Sequence, residues 1–218
     1  MSLINECISF NAGQTSLIAS ITSRDDFHHT IWGDEALQEL RSSTRQFYRR
    51  QQRCICAYCK EQVSLVYPAN AHIEHIAPKS LYPNFMFEPK NLCVVCVDCN
   101  SIKRNQEVLE SVPDTVVNGE TRQRYPSASA AFKIVHPHID EYDSHIVKKG
   151  RLYCDLTPKG NFTIGACKLN RFLHEFHGDT SLVDNPQLSG LMEDFLNSDS
   201  DLEKTRSINS LMEIFFNL

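Results

Sequence analysis

The chain has no apolar run long enough to span a membrane, so a bilayer protein of the helical kind is excluded. It has no internal repeat and no low-complexity segment, which removes solenoids, arrays and fibrous proteins. Its start, Met1-Ser-Leu-Ile-Asn-Glu6-Cys7, carries no basic n-region followed by an apolar h-region, so the expectation is a cytoplasmic protein rather than a secreted one. Net positive charge is missing too. The formal balance of -5 argues against a generic nucleic-acid binder. What remains is an ordinary globular composition, 41% hydrophobic and 22% charged over 218 residues, enough for a substantial core.

Cysteine is what the chain has in quantity. There are nine, an odd number, and six fall in two tight clusters at 54, 56, 59 and 93, 96, 99. In a reducing compartment such clustering indicates thiolate metal ligands rather than disulfides. Cys56-Ala-Tyr-Cys59 and Cys96-Val-Asp-Cys99 are two CxxC turns, and together they supply four sulfurs for a tetrahedral structural zinc ion. Cys93-Val-Val-Cys96 is also a CxxC, so Cys93 and Cys54 stand as alternative ligands. The set 56, 59, 96 and 99 is preferred because it leaves Asn100 and Lys103 on the helix that follows. Cys7, Cys93, Cys154 and Cys167 then read as small buried residues.

Charge is unevenly spread. Residues 41 to 104 hold ten cations against four acids, whereas residues 179 to 218 hold two against eight. The basic region coincides with the cysteine pairs, where a phosphate would have to bind. Arg45, Arg49 and Arg53 recur every four residues on an expected helix from 34 to 52, which puts them on one face.

Between the cysteine pairs lies His72-Ile-Glu74-His75-Ile-Ala-Pro78-Lys79, expected as a strand over 71 to 77 ended by Pro78. A second strand is expected over 92 to 95 and a helix from 97 to 108. A neutral histidine can take a proton from water near neutral pH, and a carboxylate with an amide oxygen can hold Mg²⁺. Neighbouring strand residues point to opposite faces, so Glu74 and His75 serve one site only if later elements wrap the strand end. His72 shares a face with Glu74 and reads as a supporting or phosphate-contacting group.

The ordered set Cys-x-x-Cys, Ile-Glu74-His75-Ile-x-Pro78-Lys79, Asn91-Leu, Cys96-x-x-Cys99-Asn100-x-x-Lys103 resembles the HNH endonuclease family, the ββα-metal nucleases, in a zinc-stapled form. The resemblance covers about fifty residues. It implies that His75 is the general base, that Asn91 pins the loop that orients it, and that Glu74 and Asn100 bind a catalytic Mg²⁺ or Mn²⁺. Lys79, Lys103, Arg104, Arg45, Arg49, Arg53 and His72 are the expected nucleic-acid contacts. One such site cuts one strand, so duplex cleavage implies an oligomer or larger assembly.

Further on, His136-Pro-His138-Ile-Asp140 to His145, a hairpin, and Leu169-Asn170-Arg171 resemble the C-terminal extension of HNH proteins from bacterial anti-phage operons. These are the retron-associated and Septu-type proteins, whose partner is an ABC/SMC-like ATPase. The resemblance implies a DNA-cleaving defence effector controlled by that partner. By themselves His136, His138 and His145 read as a polar loop packed on the hairpin, with a second metal site as the alternative.

The expected fold is α+β: a mostly helical chain around a ββα-metal core with a structural zinc held by four cysteines, plus a C-terminal hairpin and helices. The divisions are an N-terminal arm over 1–33, read as a partly ordered arm or short strand, a nuclease core over 34–110 and an extension over 111–218. Within the extension, 111–130 reads as a linker and 146–170 as a hairpin that turns again at Pro158-Lys-Gly-Asn161 into Phe162-Thr-Ile164. A helix is expected from Leu169 to His177, and two amphipathic helices over 187–197 and 201–216 that either complete a core or dock a partner. The competing reading is a non-catalytic zinc-ribbon module or adaptor.

Overall fold

The computed structural model describes residues 2–110, 124–175 and 186–216. The fold is α+β, with helices predominating over two small two-stranded sheets. It divides into two compact units, one of residues 1–147 with 154–169 and one of residues 148–153 with 170–218.

The first unit begins with helix α1, Ala12–Thr22, where the sequence suggested an arm or short strand. The physical signal is a capping box. Asn11 Oδ1 accepts from the Gln14 amide at 2.8 Å, and Gln14 Oε1 accepts from the Asn11 amide at 3.0 Å. The helix packs Ile21 into a cluster with Ile31, Leu37, Leu40, Met86 and Phe87. Helix α2, Gln38–Gln51, falls inside the expected span. Its buried Tyr48 donates to the Pro89 carbonyl at 2.7 Å, fixing the helix to the loop that leads into the second strand.

Strands β1, His72–His75, and β2, Leu92–Val95, pair antiparallel, with Glu74 opposite Cys93 and His75 opposite Leu92. β2 is buried throughout. One group the sequence did not single out holds it in place. The side chain of Gln52, just past α2, donates to the Val94 carbonyl at 2.7 Å and accepts from the Val94 amide at 2.7 Å. A glutamine thus stands in for a neighbouring strand: it satisfies the buried Val94 amide and joins the Ala57 amide, 3.1 Å away, on the Val94 carbonyl. Nothing in the local sequence marks Gln52 for this; only the approach of the α2 end to β2 does.

Helix α3, Val97–Lys103, is shorter than expected. Cys96 caps it, its sulfur accepting from the Cys99 amide, and it stops at Arg104, whose φ of 49° cannot continue a right-handed helix. Strands β3, Ile146–Lys149, and β4, Leu152–Asp155, form the second sheet as expected. The turn and strand expected from Pro158 to Ile164 are instead helix α4, Pro158–Cys167. Thr157 caps it and Pro158 occupies its first turn, so proline here starts a helix rather than making a hairpin turn. Gly160 has a packing reason: a Cβ there would lie 2.0 Å from the His145 carbonyl oxygen.

In the second unit α5 spans Arg171–Glu175, within the helix expected from 169 to 177, whose last two residues lie outside the described ones. Helices α6, Pro186–Asn197, and α7, Asp201–Phe216, match the expected pair and pack on each other. Met192, Ile208 and Met212 are exposed, so the apolar stripes are not wholly consumed as core. Residues 111–123 of the expected linker are likewise outside the described residues.

Candidate metal centre and active site

The four sulfurs of Cys56, Cys59, Cys96 and Cys99 lie within 4.8 Å of one another, and all four residues are buried. Cys59 and Cys96 are 3.8 Å apart. That separation is close to the edge of a tetrahedron with metal–sulfur bonds of about 2.3 Å, so the set is placed to hold a metal ion. Hydrogen bonds from the other three thiols, Cys56 foremost, hold the Cys96 thiol far below its ordinary range, while burial pushes Cys56 up. Crowded buried thiols of this kind are costly unless a cation neutralises them. Cys93 is a buried strand residue and Cys54 stands apart from the cluster. Cys7 and Cys154 are only half-buried.

The turn after Cys59 adds a cation. Lys60 adopts φ 59°, its amide closes the knuckle on the Cys56 carbonyl at 3.1 Å, and its ammonium donates to the Ala57 carbonyl at 3.0 Å. The same ammonium lies 4.0 Å over the Tyr142 ring. Burial lowers its pKa to about 8, with Cys56 pulling the other way.

Beside this centre is a cavity of about 500 Å³, lined by Trp32, Arg45, His72, Glu74, His75, Lys79, Asn100 and Arg104 among others. The structure therefore brings Glu74 and His75 to one cavity although they are adjacent on β1. His75 is buried, and its Nε2 lies 3.1 Å from the Met86 carbonyl oxygen. A carbonyl only accepts, so Nε2 carries the proton and Nδ1 is the basic atom. Burial, with Lys79 adding to it, lowers the imidazole pKa to about 3, so the ring is neutral. The edge of Trp32 meets it at a centroid distance of 4.6 Å and an interplanar angle of 85°. No motif or spacing marked this tryptophan, which comes from the segment between α1 and α2.

Asn91 is buried and bonded at both ends of its amide. Its Oδ1 accepts from the Ala77 amide at 2.7 Å, and its Nδ2 donates to the carbonyls of Ala77 and Phe85 at 3.0 and 2.9 Å. These three bonds tie the end of β1 to the loop that carries Met86, and Met86 orients His75. Asn100 Nδ2 donates to His72 Nδ1 at 3.0 Å, while His72 Nε2 lies 3.0 Å from the Ala69 carbonyl oxygen. That carbonyl fixes the His72 tautomer, and the tautomer fixes the amide orientation. Asn100 Oδ1 is thus left as a free oxygen. Glu74 is buried with its Oε1 2.5 Å from Lys103 Nζ, a close buried ion pair. Burial raises its pKa, and Lys103 opposes the rise. A buried carboxylate and a free amide oxygen on one cavity are ligand types that suit a hard cation, which would share Glu74 with Lys103; Glu74 is the only carboxylate there among the described residues.

Two expected phosphate contacts are corrected, and one shared face is broken. Lys103 has no exposed surface and serves Glu74. Arg49 is buried, with its guanidinium on the carbonyls of Leu65, Val66 and Tyr67. Arg53 lies beyond the end of α2 with φ 51° and leaves the common face. The four-residue spacing was real, but the tertiary fold spends the middle arginine internally. Arg45 donates to the Ala71 carbonyl at 2.9 Å and still lines the cavity with Lys79 and Arg104.

The histidines further on are packing groups. His136 Nε2 meets the Tyr125 hydroxyl at 2.8 Å, His138 Nε2 the Leu92 carbonyl at 2.8 Å, and His145 Nδ1 the Thr157 hydroxyl at 2.8 Å. Among the described residues the four-cysteine set is the one group of three or more Cys, His or acidic side chains placed to hold a metal. No protein-family model and no curated protein matches the chain, so the HNH resemblance rests on its residues alone.

Proposed function

We propose that this chain is a metal-dependent endonuclease of the HNH type that hydrolyses phosphodiester bonds in DNA, with zinc as the ion of the four-cysteine centre. The observation that carries the reading is His75: a neutral imidazole whose Nε2 proton is committed to the Met86 carbonyl, leaving Nδ1 basic, on the wall of a cavity lined by three cations. A non-catalytic zinc ribbon would account for the cysteines but gives no reason for that arrangement.

The ring is already neutral, so His75 Nδ1 is free to take the proton from the attacking water, and the anionic phosphate entering the cavity would raise its basicity from the low value that burial sets. The Met86 carbonyl keeps the ring in that tautomer, and Asn91 holds the Met86 loop against β1. Glu74 and Asn100 are the residues that would hold Mg²⁺ or Mn²⁺, whose charge offsets the negative charge that develops on the phosphorane and leaving oxygen. Arg45, Lys79 and Arg104 attract and seat neighbouring phosphates without reading sequence.

The test is supercoiled plasmid incubated with Mg²⁺ or Mn²⁺. Wild type nicks it, and His75→Ala loses about 100-fold or more of the rate at unchanged zinc content. Equal nicking by the two proteins would sink the assignment. The wider role, a defence effector held by an ABC/SMC-like ATPase, rests on the resemblance of residues 136 to 171. It is tested by repeating the assay with and without the product of the neighbouring gene: a change in cleavage supports the role, and no change speaks against it.

A further inference from the structure

Between the Cys59 knuckle and β1 the chain displays Leu65, Val66 and Tyr67, which are 77%, 74% and 73% exposed. Three consecutive large apolar side chains in water are unfavourable, and an unrestrained loop would turn some of them inward. This loop is restrained. Arg49, itself buried, donates to the Tyr67 carbonyl at 2.7 Å and lies 3.4 and 3.5 Å from those of Leu65 and Val66. Ser64 Oγ accepts from the amides of Val66 and Tyr67 at 3.2 and 2.8 Å. With carbonyls and amides both engaged on the protein side, the three side chains are held outward.

The next residue, Pro68, lines the cavity, and the segment ends at Ala71, where Arg45 holds the carbonyl. Two arginines one turn apart on α2 therefore anchor both ends of one segment, with the apolar tip at one end and the cationic cavity at the other. The cavity wall has Arg45, Lys79 and Arg104 against a single carboxylate, Glu74, which Lys103 already neutralises. A ligand that fits both ends is polyanionic along its backbone and has flat apolar faces beside it. Bases in a duplex hide those faces by stacking on each other; unpaired bases offer them.

We propose that Leu65, Val66 and Tyr67 form a stacking platform for unpaired nucleobases, held outward by Arg49, next to the phosphate bound in the cavity. This deepens the nuclease reading and rests on it for the cavity's ligand. It makes single-stranded or locally opened DNA the preferred substrate. Tyr67 stacks on a base, Leu65 and Val66 cover the next, and the cations of the cavity set the backbone.

The experiment is equilibrium binding of a fluorescent single-stranded 20-mer, and of the same sequence as a blunt duplex, to the zinc-loaded protein with Mg²⁺ present. The proteins are His75→Ala and His75→Ala combined with Leu65→Ser, Val66→Ser and Tyr67→Ser. Because all three positions are exposed, the combined variant should keep its zinc content and melting temperature. The expected result is that it binds the single strand about 5- to 100-fold more weakly. Duplex affinity should change less than about 3-fold, and the salt dependence should be unchanged because no phosphate contact is lost. Restoring only Tyr67 recovers part of the loss, and Phe at that position recovers as much. Unaltered single-strand binding overturns the proposal and leaves a protein surface as the partner of the tip. Equal weakening for both DNAs overturns it as well. Binding is read without cleavage, so a wild type that fails to nick plasmid yet shows the single-strand loss removes the nuclease assignment and keeps the platform.

Discussion

The four-cysteine centre and the neighbouring cavity are built on the same strands and helix, yet they solve opposite problems. In the centre, side chains converge: four buried sulfurs point at one volume and leave no place for water or substrate. In the cavity, side chains are held apart by backbone. His75 is bound to Met86 and His72 to Ala69, each keeping one orientation for use, while Asn91 behind them ties Ala77 to Phe85. A structural metal site gains from saturation, while a reactive site needs unsatisfied valence kept in place by its surroundings. The two share Cys96 and α3: the residue that closes the metal set also caps the helix that presents Asn100.

The comparison predicts very different sensitivities. The largest effect is expected from Cys59→Ala, or from chelation of the wild type. Apparent metal affinities at such sites are worth about 10 kcal/mol or more, so residues 54 to 104 should lose their cooperative thermal transition along with the zinc. A metal-free protein with a wild-type melting curve would show that the centre is not a staple.

Next is Lys103→Met. It strands Glu74 as a buried carboxylate, and the expected loss is about 3 to 5 kcal/mol in urea unfolding of the metal-loaded protein. Adding Glu74→Gln should restore most of that stability while leaving cleavage abolished. If the single variant is no less stable than the double, the pair is not the internal strut inferred above.

Asn91→Ala leaves the Ala77 carbonyl and amide unpaired, removes one of the two donors to the Phe85 carbonyl, and should cost about 2 to 4 kcal/mol with zinc retained. Cleavage should fall by more than the unfolded fraction explains, because the Met86 loop no longer fixes His75. Wild-type cleavage at this stability loss would separate the loop from the chemistry.

The smallest effect concerns acid. Burial lowers the His138 pKa to about 4, whereas the unfolded residue titrates near 6.5. Below 6.5 the unfolded chain binds the extra proton first. The stability contributed by keeping His138 neutral is therefore full above that pH and declines as pH falls toward 4, by about 3 kcal/mol at most. Urea midpoints measured from pH 7 to 4.5 should slope less in His138→Gln than in wild type. Equal slopes would assign the acid sensitivity to the other buried histidines, His75 and His136, or to the thiolate centre.

The metal set was legible in the sequence because CxxC turns carry their own geometry: two residues between ligands bring both sulfurs to one side whatever surrounds them. The strands and the last two helices were legible by their patterns. Helix α1 has no clear apolar stripe, so only its capping pair, Asn11 and Gln14, marks it in the sequence, and α4 is disguised because Pro158 and Gly160 imitate a turn. For the cavity, sequence named Glu74, His75, Asn91 and Asn100 but assigned Lys103 and Arg49 to phosphate. No local pattern separates a surface cation from one that meets a buried partner 29 residues earlier, as Lys103 meets Glu74.

By itself, then, the sequence determined the identity of the chemical groups and the order in which they arrive: four thiols, an acid beside a histidine, two asparagines, and cations crowded into the same stretch. Tertiary structure alone decided which of those groups remain available. Burial consumed Lys103 and Arg49, backbone carbonyls chose the tautomers of His75 and His72, and Gln52 and Trp32 came in from elsewhere to complete the frame. The reason is physical. A polar group's chemistry is set by the partners left to it after folding, and those partners are distant in sequence.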